Sequence, residues 1–337
     1  MVSKRFIAKR LLLLGPVLFG VATFVFAILH ISPGDPAVTI GGTRASKEFV
    51  EQIRVELGLN EPLWKQYLSF LWETVNFEFG QSYKVNRGTA VTDVLAARLP
   101  ITIELAVLGL IAGLLFGLPL GILSAVKQDS ITDHVSRIGA LAGISIPIYW
   151  SGPLLILVFA VYLDLLPVSG RIGSTYFVKT RTGFILVDSL LVGNWDAFIS
   201  AARHLAMPIA VLGVYSMAFI SRMMRSSMLE VIRQDYMRTA RAKGQGAKIT
   251  ILKHGLRNAF IPVITIIGIQ FGSLLGGAVL TETVFEINGI GTLLVSAIQQ
   301  SDYPVVQATV LVFALMYTLV NLVVDITYSI LDPRINQ

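Results

Sequence analysis

The residues best placed to do chemistry in this 337-residue chain are basic and lie on one short stretch. Between Ser221 and Asn258 stand Arg222, Arg225, Arg233, Arg238, Arg241, Lys243, Lys248, Lys253 and Arg257, against only Glu230 and Asp235. Ahead of Gly244, the apolar positions Met228, Val231, Ile232 and Tyr236, with Ala240 following, predict an amphipathic helix, and Gly244 is its stop. A second short helix is expected from Ala247 to Leu256. A basic amphipathic helix of this kind either lies on anionic lipid or docks into a groove on a cytoplasmic partner, where it transmits motion made elsewhere.

Bond-breaking chemistry has far less support. No Gly-Lys dipeptide occurs, so the phosphate-cradling loop G-x-x-x-x-G-K-[ST] of an ATPase is absent, and any energy source must sit on another chain or be an ion gradient. Neither H-E-x-x-H nor G-x-S-x-G occurs. His30, His134, His204 and His254 are far apart, none at ligand spacing to another, and there is no cysteine, so no metal site or disulfide is expected. Intramembrane acids mark ion-coupled carriers, but only Glu104 and Asp325 fall inside apolar segments. Each sits about one turn from a segment's end, where tilting outward would bring it to water or a headgroup. An ion-coupled secondary carrier is therefore the second reading. A membrane enzyme, the third, finds no clustered nucleophile, base or metal ligands.

The elements that carry these residues are apolar helices. Hydrophobic residues make up 54% of the chain, charged ones 14%, and mean hydropathy is +0.71, whereas a soluble domain carries about 25% charged residues. A hydrocarbon core of roughly 30 Å takes about 20 apolar residues in helix. Six windows qualify: Leu11 to Ile31, Pro100 to Val126, Ile138 to Leu163, Leu205 to Ile220, Ala259 to Leu280 and Val306 to Ile330. The fourth is short and borrows Ser221, Met223 and Met224. Phe184 to Val192 is too short to span, is interrupted by Asp188, and is expected to pack into a loop. The first segment is too long for a signal peptide and no small-x-small cleavage pattern follows, so it is expected to remain as a helix.

Basic residues are held on the cytoplasmic side. Lys4, Arg5, Lys9 and Arg10 therefore place the N-terminus inside, and six spans bring the C-terminus and the 221–258 loop inside as well. The formal charge of +6 reports this orientation and calls for no nucleic acid. Residues 32–99, with seven basic and eight acidic side chains, then lie outside as a small cap of short helices, as does the acidic loop from Thr281 to Val305. The expected architecture is an all-α integral membrane protein with three parts. Residues 1–31 are the N-terminal tail and first span, 32–99 the cap, and 100–337 a core of five spans with the 221–258 cytoplasmic loop.

Two spans carry small residues at helical spacing: Gly109, Gly113, Gly117 and Gly121, then Gly268, Gly272 and Gly276. Residues four apart stack on one face and let two backbones approach. Tight packing accounts for both ladders, and the same faces would serve as surfaces that slide or rotate while a pathway opens.

Several separate motifs resemble the inner-membrane permeases of ATP-binding-cassette importers, in the peptide and nickel group. They are His30-Ile-Ser-Pro-Gly-Asp-Pro-Ala37; Asp235-Tyr-Met-Arg-Thr-Ala-Arg-Ala-Lys-Gly244 with His254-Gly-Leu-Arg-Asn-Ala259 and Pro262; Thr281-Glu-Thr-Val-Phe285 with Gly289-Ile-Gly291; Asp302-Tyr-Pro304; and Asp332-Pro-Arg-Ile335. The resemblance covers essentially the whole chain. It implies a type I importer permease fold, in which the first helix wraps a partner permease and the other five form half of a translocation path. It implies as partners a homologous second permease, two cytoplasmic ATPases that bind ATP and magnesium, an extracytoplasmic solute-binding protein and membrane lipid. No cofactor is expected on this chain.

By the same resemblance, Asp235, Tyr236, Arg238, Thr239, Ala240, Arg241, Ala242, Lys243 and Gly244 look like the coupling helix that enters a cleft on the ATPase, supported by His254, Arg257 and Asn258. The wider superfamily begins this motif Glu-Ala-Ala. Here Arg238-Thr239-Ala240 stands there, so the glutamate's contact does not carry over. Glu282, Asp302 and Tyr303 are candidates for an extracytoplasmic gate. The insert around Gly183 to Gly193 is most similar to dipeptide-type permeases, and Asn288-Gly289 replaces the family's Pro-Gly.

Overall fold

The structure, a computed structural model, describes residues 4–31, 35–42 and 45–331. Ser32 to Gly34, part of one motif named above, and Asp332 to Ile335, the whole of another, lie outside the described residues. The first span, α1 (Lys4–Ile31), leads to a cap of α2 (Pro36–Gly41), α3 (Lys47–Glu56) and α4 (Leu63–Asn76). Asp35 and Ser46 begin α2 and α3 by accepting the Ala37 and Phe49 N–H groups at 2.9 and 3.2 Å, which satisfies donors that a helix start leaves free. The chain returns through α5 (Val91–Val126), then α6 (Ile131–Ser145) and α7 (Ile148–Leu155), the last continuing as a π-helix Ile156–Tyr162. An insert carrying α8 (Ile185–Leu191) precedes the long α9 (Trp195–Ile232). The short α10 (Asp235–Ala242) follows. Then α11 (Ala247–Ile249) passes through a π-helical turn, Thr250–Gly255, into α12 (Leu256–Val284). The apolar α13 (Ile290–Gln300) and α14 (Tyr303–Leu331) complete the all-helical fold.

Five of these helical stretches are long and apolar enough to cross a membrane, and α6 with α7 passes the same test jointly, giving six when that bent pair counts as one span. Their alternation defines two ends. The cap, the insert and α13 lie at one, and the Arg- and Lys-rich α9–α11 connection lies at the other. At the centre α5, α9 and α12 pack on one another, with α14 on α12 and α1 on α14. Burial falls outward accordingly: 56% of the α9 span is buried within the chain and 11% of the α1 span.

The helices differ from the sequence expectation in four places. The third span is not the continuous Ile138 to Leu163 but is bent by 102° between α6 and α7. Ile146, at φ −80° and ψ 119°, is pushed out of the helical region by the ring of Pro147. The second span starts at Val91, inside the stretch assigned to the cap, because Pro100 is accommodated within α5. The fourth span is long, not short: α9 has 38 residues, about 57 Å at 1.5 Å per residue, so it projects well beyond a roughly 30 Å core. Residues 221–232, including Met228, Val231 and Ile232, are therefore the end of that span and not part of a separate amphipathic helix. Similarly, the expected helix from Ala247 to Leu256 is the start of the fifth span.

Candidate functional site

At the basic end, α9 stops at Ile232 and α10 begins at Asp235 after the extended Gln234. Gly244, at φ +80°, closes the helix with its N–H donating to Arg241 O at 2.9 Å. A side chain there would be strained, which is why glycine ends this helix. Asp235, Tyr236, Arg238, Thr239, Arg241, Ala242, Lys243 and Gly244 are exposed and Ala240 is half-buried. One side chain of α10 is fully buried in the body: Met237, which packs near Gly255 beside Met228. The sequence reading put Tyr236 on the apolar face and missed Met237. Tyr236 is 41% exposed and its hydroxyl accepts a hydrogen bond from Asn258 Nδ2 at 2.8 Å. His254 Nε2 meets Gln245 Oε1 at 2.9 Å, and Asn258 also donates to His254 O. So α10 and the turn after it are braced on the first turns of the fifth span at His254 and Asn258. The Asp235–Arg238 pair, 3.9 Å apart and exposed, adds little.

About two helix turns back along α9 from its end at Ile232, a buried ion pair joins three spans. Arg225 on α9 donates from Nε and Nη2 to Asp133 on α6, both at 2.7 Å, and Ser124 at the end of α5 donates to the same carboxylate at 2.5 Å. Asp133 is fully buried. It lies in the first turn of α6, where the helix's own free N–H groups also favour a negative charge. Motif inspection did not single out this pair because its residues are 92 positions apart.

At the cap end, Glu282 and Asp302 are both fully buried. Glu282, near the end of α12, accepts the Thr102 hydroxyl at 2.5 Å and the Thr292 N–H at 3.0 Å, while Thr102 Oγ1 accepts the Ile290 N–H at 2.9 Å. Gly289 and Gly291 line the carboxylate so closely that a Cβ on either would overlap it. That gives a physical reason for the joint appearance of Thr281-Glu282 and Gly289-Ile-Gly291: the glycines leave room for the carboxylate that holds α13 against α5 and α12. Asp302 accepts Ser82 Oγ at 2.6 Å and the Lys84 and Val85 N–H groups at 2.9 and 3.0 Å, binding the cap loop to the start of α14. Tyr303 is half-buried. It lines a cavity of about 560 Å³ between the cap and the outer ends of α1 and α14, with Pro304 and Gln307 beside it.

Of the two acids inside apolar segments, one settles differently from expectation. Glu104 does not turn outward: it is 5% exposed, paired with Arg171 of the insert at 2.6 Å, and accepts the Leu186 N–H at 3.0 Å. The insert supplies a partner that no local pattern reveals. Asp325, expected to reach water or a headgroup, is partly exposed and pairs in addition with Arg10 of α1 at 2.7 Å. In the insert itself, Asp188 is buried, which pushes its carboxyl up. The Thr182 N–H and hydroxyl and the Arg181 and Gly183 N–H groups pull harder, so it is held below the ordinary 3.8. Among the described residues no cluster of three metal-ligating side chains occurs.

The first glycine ladder faces α9. A Cβ on Gly109, Gly113 or Gly121 would fall 2.7, 2.5 and 2.6 Å from atoms of Leu212, Ser216 and Ser221, and one on Gly117 3.0 Å from Met217 O. In the second, Gly268 and Gly272 sit under Val324 and Tyr317 of α14, whereas Gly276 has open space. The structure thus separates Gly276 from its two neighbours on the ladder.

Residues 117–337 match the family model of the binding-protein-dependent transport system inner membrane component, and residues 3–106 match that family's N-terminal membrane component. The chain belongs to this permease family. It is 44% identical over 337 residues to the dipeptide transport system permease protein of Escherichia coli, covering 99% of each chain. It is likewise 44% identical over 333 residues to the di/tripeptide transport system permease protein of Pseudomonas aeruginosa, covering 98% of each. In fold it is similar to the MetNI methionine ABC transporter in an inward-facing conformation, with a TM-score of 0.53 and 20% identity over 71% of this chain and 96% of that one. The class is therefore an importer permease and not an ion-coupled carrier: this permease is the membrane-spanning transport component of an ABC importer.

Proposed function

We propose that this permease forms half of the path of an ATP-driven importer of short peptides, with both chain ends and the Asp235–Gly244 segment in the cytoplasm and the cap outside. The orientation rests on the basic bias of the α9–α11 connection. The cargo reading rests on the full-length likeness to dipeptide and di/tripeptide permeases. A homologous permease completes the path, an extracytoplasmic binding protein delivers the peptide, and two ATPases bind ATP and magnesium.

The observation that carries the mechanism is the exposed α10, held by Met237 alone on its buried side and braced at Asn258. A protruding helix with one buried side chain and one hydrogen-bonded brace suits insertion into a cleft on an ATPase. Closure of the ATPases on ATP would push α10, and through His254 and Asn258 the push enters the fifth span directly. The Asp133–Arg225 pair makes the basic ends of α5, α6 and α9 follow together. At the other end, Glu282 and Asp302 keep α13 and the cap loop attached to the span ends, so the outer gate that includes Tyr303 moves as one piece. Alternating access of this kind requires differential contacts in two states and no covalent step.

The test is a mild-detergent purification of the tagged chain from its native membrane, followed by reconstitution. Recovery of a second permease with Walker-motif ATPases, and uptake of dipeptide only with ATP and a binding protein, support the reading. Recovery of those subunits with uptake of another solute class would overturn the peptide assignment alone.

A further inference from the structure

In the cap, α4 has three faces, each with a different environment. At about 100° per residue, Gln66, Tyr67, Phe70 and Thr74 share one face and are partly buried against the chain. Lys65, Ser69, Glu73 and Asn76 share a second, polar and exposed. Between them Trp64, Leu68, Trp72 and Val75 form an apolar stripe, 66%, 55%, 70% and 73% exposed. Nothing among the described residues covers it. Scattered apolar residues on a surface need no explanation, but a continuous stripe with two tryptophans does.

The inward face fixes the depth of α4. The Tyr67 hydroxyl meets Thr23 Oγ1 at 2.6 Å, and since Thr23 already donates to Phe19 O, Tyr67 is the donor. Its ring packs on Phe26 and Phe19, Phe70 packs on Phe26, and Gln66 meets His30. Thr23 is well inside the span Arg10–Ile28, about 8 Å below Ile28 at 1.5 Å per residue. So α4 lies alongside the last turns of a transmembrane helix, at the level of headgroups and upper acyl chains. The α1 helix on which α4 packs exposes apolar surface as well: Phe24, Ile28 and Ile31 are 65%, 50% and 80% exposed. Tryptophan is favoured at that level because its ring is apolar and its N–H can reach water.

We propose that α4 is an interfacial membrane helix. Its Trp64, Leu68, Trp72 and Val75 face enters the lipid of the cap-side leaflet, its Lys65, Ser69, Glu73 and Asn76 face meets headgroups and water, and the cap is thereby anchored in the membrane as well as on α1. Residues expected to stand wholly outside the membrane thus include one helix that lies in its surface.

The chain has no cysteine, so spin labels can be placed one at a time on Trp64→Cys, Leu68→Cys, Trp72→Cys, Lys65→Cys, Ser69→Cys and Asn76→Cys in the assembled importer. The vesicles would contain phosphatidylethanolamine and phosphatidylglycerol. Collision with oxygen, which dissolves in lipid, should exceed collision with an aqueous nickel chelate at 64, 68 and 72, and the order should reverse at 65, 69 and 76. Low collision with both reagents at 64, 68 and 72 would show a protein partner on the stripe and overturn the proposal. High nickel collision there would show water and overturn it equally. As a check that introduces no label, Trp64→Phe with Trp72→Phe should lower the tryptophan emission that acyl-brominated phosphatidylcholine quenches, leaving the share of the exposed Trp150 and Trp195. Unchanged quenchable emission would overturn the proposal.

Discussion

Replacing Gly113 by alanine tests the close contact between α5 and α9, and the size of the effect follows from the structure. The new Cβ would lie 2.5 Å from Ser216 Cβ and 3.1 Å from Met217 N, whereas non-bonded carbons settle at about 3.5–4.0 Å. The neighbours on the far side are backbone and a Cβ, which cannot rotate away, so the helices must part by about 1 Å. A gap of that order forfeits roughly a quarter to a half of the dispersion energy of the atoms lining it, and overpacking of this kind costs about 1–3 kcal/mol. Alanine also gains about 0.5–1 kcal/mol over glycine in a helix. That gain is shared by Gly276→Ala, where the Cβ meets open space, so comparing the two cancels it. In reversible unfolding of the purified chain in bicelles, Gly113→Ala should be less stable than Gly276→Ala by about 1–3 kcal/mol. Equal stabilities would refute the claim that backbone contact at the ladder holds these helices.

Asp133→Asn should destabilise the chain by about 3 kcal/mol in the same assay, since it leaves Arg225 without its carboxylate. Adding Arg225→Met should recover part of the loss. Gly289→Ala should loosen α13 by forcing the Glu282 carboxylate off Thr292, seen as faster amide exchange over residues 290–300 with little change in α9. In the insert, Asp188 has its carboxyl held below 3.8, so the stabilisation it gives is present above that value and is lost as pH falls through the folded-state value. Asp188→Asn should therefore weaken protection of the 181–183 amides at neutral pH, and the difference from wild type should vanish in strong acid.

The span count was legible because lipid demands long apolar runs, and those runs survive any local irregularity. The ends were not, since proline is tolerated inside α5 at Pro100 and the polar turns of α9 below Ser221 are helical without being apolar. The bend before Pro147 was within reach of sequence reasoning, because a proline disfavours helix at the residue before it. The α10 segment was legible through its charge and its stop at Gly244, but its anchor was misplaced by one residue, from Met237 to Tyr236. A rotation of the helix face by about 100°, one residue of helix, caused by the break at Arg233 and Gln234, is enough for that. The pairs Asp133–Arg225, Glu104–Arg171 and Asp302–Ser82 could not be read, because each joins residues more than 60 positions apart. Glu282 stood out only as part of a motif, and its role as the acceptor that Gly289 and Gly291 make room for needed coordinates.

The central claim is that α10 transmits ATPase motion into the fifth span. The most direct test is to measure ATP hydrolysis and binding-protein-dependent dipeptide uptake on the same proteoliposomes, for wild type and for Ala240→Trp combined with Gly244→Pro. The account predicts a fully assembled, membrane-inserted variant in which ATP hydrolysis continues and uptake is lost. Wild-type uptake by a well-expressed variant would contradict it.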